Sequence, residues 1–405
     1  MMWRMCGHTN SIYCCYHGNH IACRRHTSPP RMGTATIRSM AAVTRRNFVL
    51  SSIAAGSMLA QGQKGATYSS DAERYADPLT ELDVYRLTKP DYSTTMTAYY
   101  NRGIARNSGW MLCCCDRAGS PQAFHLDLKN GEMKLLTQAQ DLDGSTLNLT
   151  PDNRSLCYFA GRSLYVAGIA GQRERELYKI PEGWERGAGM TVGPDGTHAT
   201  FIECKGEASR IRMVTLGQGV ARTVIESPFV MSHAIPRPMR AQVLYRQGND
   251  ALWLVNLDGA QNRKLRTAAG GIASPNWSSD GRTVLYLNLP DDRKQLNNVR
   301  ELVPDTNTDK LVAKTSQFAC FGANRDTSVF AGASRNASPA LLLLLRVTQR
   351  ERTLCEHKAS NPESVAPVFS PDSQRVYFGS DRHGKPAIYS MHIEKLVEKT
   401  EDSVG

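Results

Sequence analysis

The stretch SPDSQRVYFGSDRHGKPAIYSM, residues 370–391, holds the unit from which the fold is read. A Pro-Asp turn leads into an apolar strand, a polar turn containing Gly384 follows, and a second strand returns. The same turn-to-strand signature recurs as NSGWMLCCC (107–115), TPDNRSLCYF (150–159), GPDGTHATFI (193–202), RPMRAQVLYR (237–246), SSDGRTVLYL (278–287) and NRDTSVFAG (324–332). From Ser108 through Pro151, Pro194, Met239, Ser279, Arg325 and Pro371 the steps are 43, 43, 45, 40, 46 and 46 residues. Such a period fits one four-stranded blade per step.

VLYRQGNDALWLVNLDG (243–259) repeats the hairpin, with Asn249-Asp250 at its turn. Short strands then lead on, as in MKLLT (133–137), ARTVIE (221–226), NRKLR (262–266) and RTLCEH (352–357). No stretch sustains a 3.6-residue apolar period, so helix is a minor component. The fold class is therefore all-β: a seven-bladed β-propeller of four-stranded antiparallel blades, preceded by an export signal. DVYRLT (83–88) stands before the first full repeat and is expected to complete the last blade, removing a free sheet edge.

TRRNFVL (44–50) followed by the uncharged SSIAAGSMLA (51–60) reads as a twin-arginine export signal, which implies a periplasmic or secreted protein. The apolar run is shorter than the roughly 20 residues of a membrane span. The expected domains are 1–39, an over-extended and disordered start with Met40 as the true initiator; 40–62, the signal peptide; 63–80, a linker; 81–395, the propeller; and 396–405, a tail. Residues 1–39 hold Cys6, Cys14, Cys15, Cys23, His8, His17, His20 and His26, but without the paired spacing of a structural zinc site. The first 46 residues carry seven arginines and no Asp, Glu or Lys; without them 42 basic residues face 38 acidic ones, and the net charge falls from +11 to +4. A nucleic-acid-binding class thereby loses its support. The seven remaining cysteines, 113, 114, 115, 157, 204, 320 and 355, fall mostly on blade-interior positions as small apolar groups, without the pattern of a disulfide framework. LLLLL (341–345) reads as a buried strand.

Propeller sites cluster where the innermost strands open onto the central channel. SHAIPRP (232–238) occupies such a position and presents His233 and Arg237, with Arg210 and Arg212 on the strand before. A histidine among arginines suits an anionic substrate, because guanidinium groups hold a carboxylate and imidazole accepts a proton near neutral pH. His383 is expected at an exposed hairpin tip, and His125, His198, His357 and His392 as single structural histidines on strands. No histidine pair has metal-ligand spacing.

DPLTELDVYRLT (77–88), AFHLDLKNGEMKLLT (123–137), SHAIPRP (232–238), ALWLVNLDGAQNRKL (251–265) and APVFSPDSQRVYFGSDRHGKPAIYSM (366–391) resemble the oligogalacturonate lyases, seven-bladed propellers that cleave short pectin fragments by β-elimination. The last blade also resembles TolB-type repeats. The resemblance implies catalytic roles for His233 and Arg210 toward an acidic oligosaccharide, and Arg212 and Arg237 are expected to bind that substrate through their guanidinium groups. It also implies a divalent metal, usually manganese, but the family's ligand positions fall near Ser274 and on Asn361, Ser364 and Ala366, so the ligands are not matched. The alternative is a non-catalytic TolB-like propeller offering a ring face to a protein partner in the periplasm.

Overall fold

The computed structural model describes residues 63–171, 173–292, 294–335, 339–394 and Leu396. The expectations for 1–39, for the export signal at 40–62 and for the tail beyond Leu396 lie outside the described residues. Within them the chain forms seven antiparallel sheets in succession, the seven-bladed propeller that the repeats predict. The helical elements described are two short 3-10 turns, Gly144–Thr146 and Pro362–Val365. No helix among the described residues is long and apolar enough to cross a membrane.

Each signature supplies the second strand of its blade, and the turn joins it to the innermost strand. The turns share a local device. Thr150 donates its hydroxyl to Asp152 and accepts from the Ser155 amide at 3.0 Å; Ser278 with Asp280 and Thr283, and Ser370 with Asp372 and Arg375, repeat the arrangement. In blade 6, Asn324 Oδ1 takes the place of the hydroxyl and accepts from the Val329 amide at 3.1 Å. A Ser or Thr two positions before an Asp closes the turn on itself.

Strand alternation then sends successive side chains to the two neighbouring blades. Cys157, Phe159 and Leu164 of blade 2 pack with Met190, Ala199, Phe201 and Val214 of blade 3. The leucine run forms Ala340–Leu345, buried throughout. Leu341, Leu343 and Leu345 join Val376, Phe378 and Tyr389 of blade 7, while Leu342 and Leu344 join Leu285 and Leu287 of blade 5. A strand covered on both faces needs no polar alternation. The seven described cysteines are free thiols, six of them buried.

The ring closes as expected. Asp83–Arg86 pairs with Ala387–His392, setting Tyr85 opposite Ser390 and Arg86 opposite Tyr389. Residues 63–80, expected as a linker, instead carry two strands. Glu73–Ala76 adds a fifth strand to the last blade, and Thr67–Tyr68 pairs with Met133–Leu135 at the outer edge of blade 1. One segment therefore straddles the seam between first and last blades. Arg117 pairs with Asp71 and lies 4.8 Å over the Tyr68 ring, and Asp77 Oδ2 accepts from the Glu356 amide of blade 6 at 3.1 Å.

Removing residues 63–88 should leave Ala387–His392 as a bare edge and abolish the single cooperative unfolding transition seen by circular dichroism. Val84, fully buried against blades 6 and 7, should cost about 1–3 kcal/mol when replaced by Ala, read as a lower denaturant midpoint. A truncated protein melting like the intact one would contradict this closure.

Candidate functional site

The connection between the first two strands of blade 1 is long, running from Met96 to Trp110, and it does not stay on its own blade. Its Tyr99 carbonyl accepts from Asn276 Nδ2 of blade 5 at 3.3 Å. The Tyr100 ring packs with the Ile235 and Trp277 cluster of blades 4 and 5, and Asn101 Nδ2 donates to the Leu147 carbonyl of blade 2 at 3.3 Å. In a seven-membered ring, a segment of blade 1 reaches blades 4 and 5 only by crossing the central channel. The signal in the sequence is length alone, an over-long turn in the first repeat.

His233 lies where this loop crosses. It belongs to Met231–Pro236, the innermost strand of blade 4, whose register slips between Ser232 and Ile235. Its backbone is left-handed, with φ of 55°. A bulge of this kind turns a side chain out of the sheet's alternation. The imidazole meets the Tyr100 ring edge-on at 5.4 Å, and Nδ1 lies 2.9 Å from the Ser232 hydroxyl. On the other side, Gly189 of blade 3 packs so closely that a Cβ there would stand 2.7 Å from the His233 Cα, so only glycine fits. His233 is 5 % exposed. Burial, reinforced by the nearby Arg246 charge, pushes its pKa down to about 3, which leaves a neutral proton acceptor through the physiological range.

Arg210 and Arg212 lie on Ala208–Thr215, the third strand of blade 3. Ser209 faces blade 4, where its hydroxyl donates to the Phe229 carbonyl at 2.6 Å and accepts from the Met231 amide at 2.8 Å. Alternation therefore turns Arg210 and Arg212 the other way, toward blade 2. There Glu203, whose side chain is fully buried, accepts from Arg210 Nε at 2.7 Å and from the Tyr178 hydroxyl at 2.7 Å, with Arg212 Nε at 3.8 Å. The Arg210 guanidinium sits 3.8 Å over the Trp184 ring. These residues share the end of the ring that carries His233 but face away from it.

Arg237 is not brought to His233. It follows the same strand by four positions, about 13 Å along the blade. Its side chain is 1 % exposed and grips Asp305 through Nη1 and Nη2 at 2.8 and 3.0 Å, while Nε donates to the Gly281 carbonyl at 2.7 Å. It ties blade 4 to blade 5 and already holds a carboxylate of the protein. A surface hollow lined by Arg222, Arg240, Gln242 and Asp258 also lies at that far end.

The family's metal positions do not fit a metal here. Asn361 caps the 3-10 turn, its Oδ1 accepting from the Glu363 amide at 3.1 Å, and the Ser364 hydroxyl donates to the Asn361 carbonyl at 2.6 Å. Ala366 has no donor atom, and Ser274 offers a single hydroxyl. Among the described residues, no three His, Cys, Asp or Glu side chains come together as a metal would need. His357 is buried, with Nε2 3.1 Å from the Ser334 carbonyl and Nδ1 accepting from the Ala359 amide at 3.1 Å. His383 is exposed at its hairpin tip and sits 2.8 Å from the Tyr389 hydroxyl.

No family model matches the chain. It is 24 % identical over 375 residues to the oligogalacturonide lyase of Pectobacterium atrosepticum, covering 80 % of this chain and 96 % of that protein. To the oligogalacturonate lyase of Dickeya dadantii it is 22 % identical over 386 residues, covering 82 % and 99 %. A shorter similarity, 29 % over 134 residues, or 33 % of this chain and 29 % of the other, links it to the Tol-Pal system protein TolB of Nitratidesulfovibrio vulgaris. An oligogalacturonate lyase solved in complex with manganese superposes with a TM-score of 0.77 at 23 % identity, covering 82 % of this chain and 98 % of that one. The chain is thus similar along most of its length to oligogalacturonate lyases, with TolB-like similarity over a third of it.

Two outcomes follow from this geometry. Arg237→Ala should lower stability by about 3 kcal/mol, since it leaves the Gly281 carbonyl without its donor and opens a cavity. Urea unfolding measures it, and an unchanged midpoint would refute the role. The folded protein also resists protonation at His233, and burial lowers His125, His198 and His357 as well. The contribution of each to stability is complete above the ordinary histidine pKa of about 6.5 and falls as the pH drops toward its lowered folded value, which for His233 is about 3, by up to about 1.4 kcal/mol per pH unit. Urea midpoints flat between pH 7 and 5 would contradict it.

Proposed function

We propose that the chain binds short uronate oligosaccharides at the mouth of its propeller and cleaves them by β-elimination, with His233 as the proton acceptor. The observation that carries this reading is the His233 bulge: a neutral imidazole set by a strained backbone at the crossing of the channel, in a chain similar to oligogalacturonate lyases over four-fifths of its length. Nε2 takes the proton from C5 of the uronate. The electrons of that C–H bond form the C4–C5 double bond, the C4–O bond breaks, and the leaving oxygen takes a proton from solvent.

A pKa near 3 keeps His233 unprotonated before substrate arrives, and so weak a base needs its proton affinity raised for the transfer. The carboxylate on C5 then stands beside the imidazole and draws its proton affinity up as the transfer proceeds. The same carboxylate gathers negative charge in the enediolate-like transition state, and fixed cations stabilise it. Arg210 and Arg212 lend positive charge to this end of the ring, moderated by Glu203. No step is routed through a metal, whose ligand positions are absent. The leader at 44–60 supports export by the twin-arginine route, which would bring the protein to oligosaccharides entering the periplasm.

A second reading, a non-catalytic TolB-like propeller, rests on Phe229 and Val230. They are 60 % and 52 % exposed on the loop into the innermost strand of blade 4, where a protein partner would meet them.

Wild-type protein should convert di- and trigalacturonate to an unsaturated product, followed by ultraviolet absorbance and unchanged by a chelator. His233→Ala should lower kcat/KM by about 10²–10⁴ with the fold intact. A fully active His233→Ala protein would sink the assignment, and a folded but silent wild type would favour the binding propeller.

A further inference from the structure

Elimination places two demands on neighbouring atoms, because C5 of a uronate carries both the proton to be removed and the carboxylate to be neutralised. The cation that holds the carboxylate must therefore lie beside the base. Arg237 is at the far end of the blade, and Arg210 and Arg212 face blade 2 with Glu203 between them. Arg186, at the start of the innermost strand of blade 3, is paired with Asp143.

Arg246 meets the demand. It ends the second strand of blade 4, Gln242–Gln247, directly opposite Ser232 and so one residue from His233 across the sheet. Its Nη2 donates to two main-chain carbonyls, Ile272 at 2.8 Å and Asn249 at 3.2 Å. Its Nε is buried without a hydrogen-bond partner, and no Asp or Glu among the described residues pairs with it. A half-buried guanidinium held only by carbonyls keeps its full charge, and an arriving carboxylate relieves the cost of desolvating it. The bulge between Ser232 and Ile235 sets the imidazole and this guanidinium at the same end of the same sheet.

Resting on the lyase reading above, we infer that Arg246 takes the carboxylate of the uronate whose C5 proton His233 removes. Arg246 was not among the residues singled out by the sequence, since one arginine before a hairpin carries no signal. As the group that touches substrate, it determines the preference for the free acid over the uncharged ester.

The test compares digalacturonate with its methyl ester on wild type, Arg246→Gln, Arg246→Lys and Arg210→Gln, each checked for fold by circular dichroism. Arg246→Gln should raise KM for the acid about tenfold or more, lower kcat/KM by about 10²–10³ and erase the preference for acid over ester. Arg246→Lys should restore part of that preference, and Arg210→Gln should keep it. An Arg246→Gln protein that still prefers the acid with an unchanged KM overturns the inference. Calorimetric binding of digalacturonate to the same proteins separates the two ideas. Binding that depends on Arg246 without any turnover removes the lyase reading and keeps Arg246 as the site of the uronate carboxylate. Turnover with binding indifferent to Arg246 does the reverse, and a wild type that neither binds nor cleaves removes both.

Discussion

Everything in this ring depends on hydrogen bonds between two short strands from opposite ends of the fold, Asp83–Arg86 and Ala387–His392. Blades pack face to face through apolar clusters, and each pair of neighbours can form locally, as in a linear repeat array. What a linear array lacks is a reason for its last member to meet its first. The N-terminal strands supply it, with one strand on the outer edge of blade 1 and two on blade 7. Closure also defines the channel, and with it the place where the connection after Met96 finds partners on blades 2, 4 and 5.

That crossing connection explains why His233 is held so tightly. A propeller channel left to solvent would give the innermost strands one wet edge and considerable freedom. Here Tyr100 meets the imidazole edge-on, Asn276 fixes the Tyr99 carbonyl, and Gly189 lets the blade 3 backbone close on the His233 backbone from the other side. The low proton affinity of the imidazole is a consequence of that enclosure first and of the Arg246 charge second. Rigidity and a neutral base therefore come from the same packing.

The propeller was legible because its turns recur seven times at steps of 40 to 46 residues, with a hydroxyl two residues before an aspartate in blades 2, 5 and 7 and an asparagine in its place in blade 6. The two strands in residues 67–76 were illegible for the opposite reason. TY and ERYA have no apolar alternation, since they are short outer-edge strands whose residues are mostly exposed. The placement of the arginines failed on parity and distance. Arg237 is four residues from His233 in the chain and at the other end of the blade in space, while Arg210 is turned by alternation onto the wrong face. Sequence proximity measures neither. His233 could be placed at the channel because its strand follows a blade-to-blade link, a position set by topology, whereas its bulge and its contact with Tyr100 depend on a loop far away in the sequence.

The innermost strands of blades 3, 4 and 5 each take a left-handed residue, at Gly189, His233 and Ser274, and in blade 7 Ala366 takes it as the cap of the 3-10 turn before the strand. For a residue other than glycine this conformation costs on the order of 1–2 kcal/mol. A metal would justify that cost at Ser274 and Ala366 if their side chains were ligands, yet a lone hydroxyl and a methyl group are not a ligand set. The bulges must then answer to the ring itself, to the way an inner strand enters a crowded channel, as the glycine in blade 3 also indicates. On this view the backbone offers several inward positions of similar geometry, and the chemistry of the mouth is decided by which side chain stands at each. On the function proposed above, an imidazole at 233 with Arg246 across the sheet would place the reacting groups on blade 4 and leave the positions on blades 5 and 7 to residues without a chemical role.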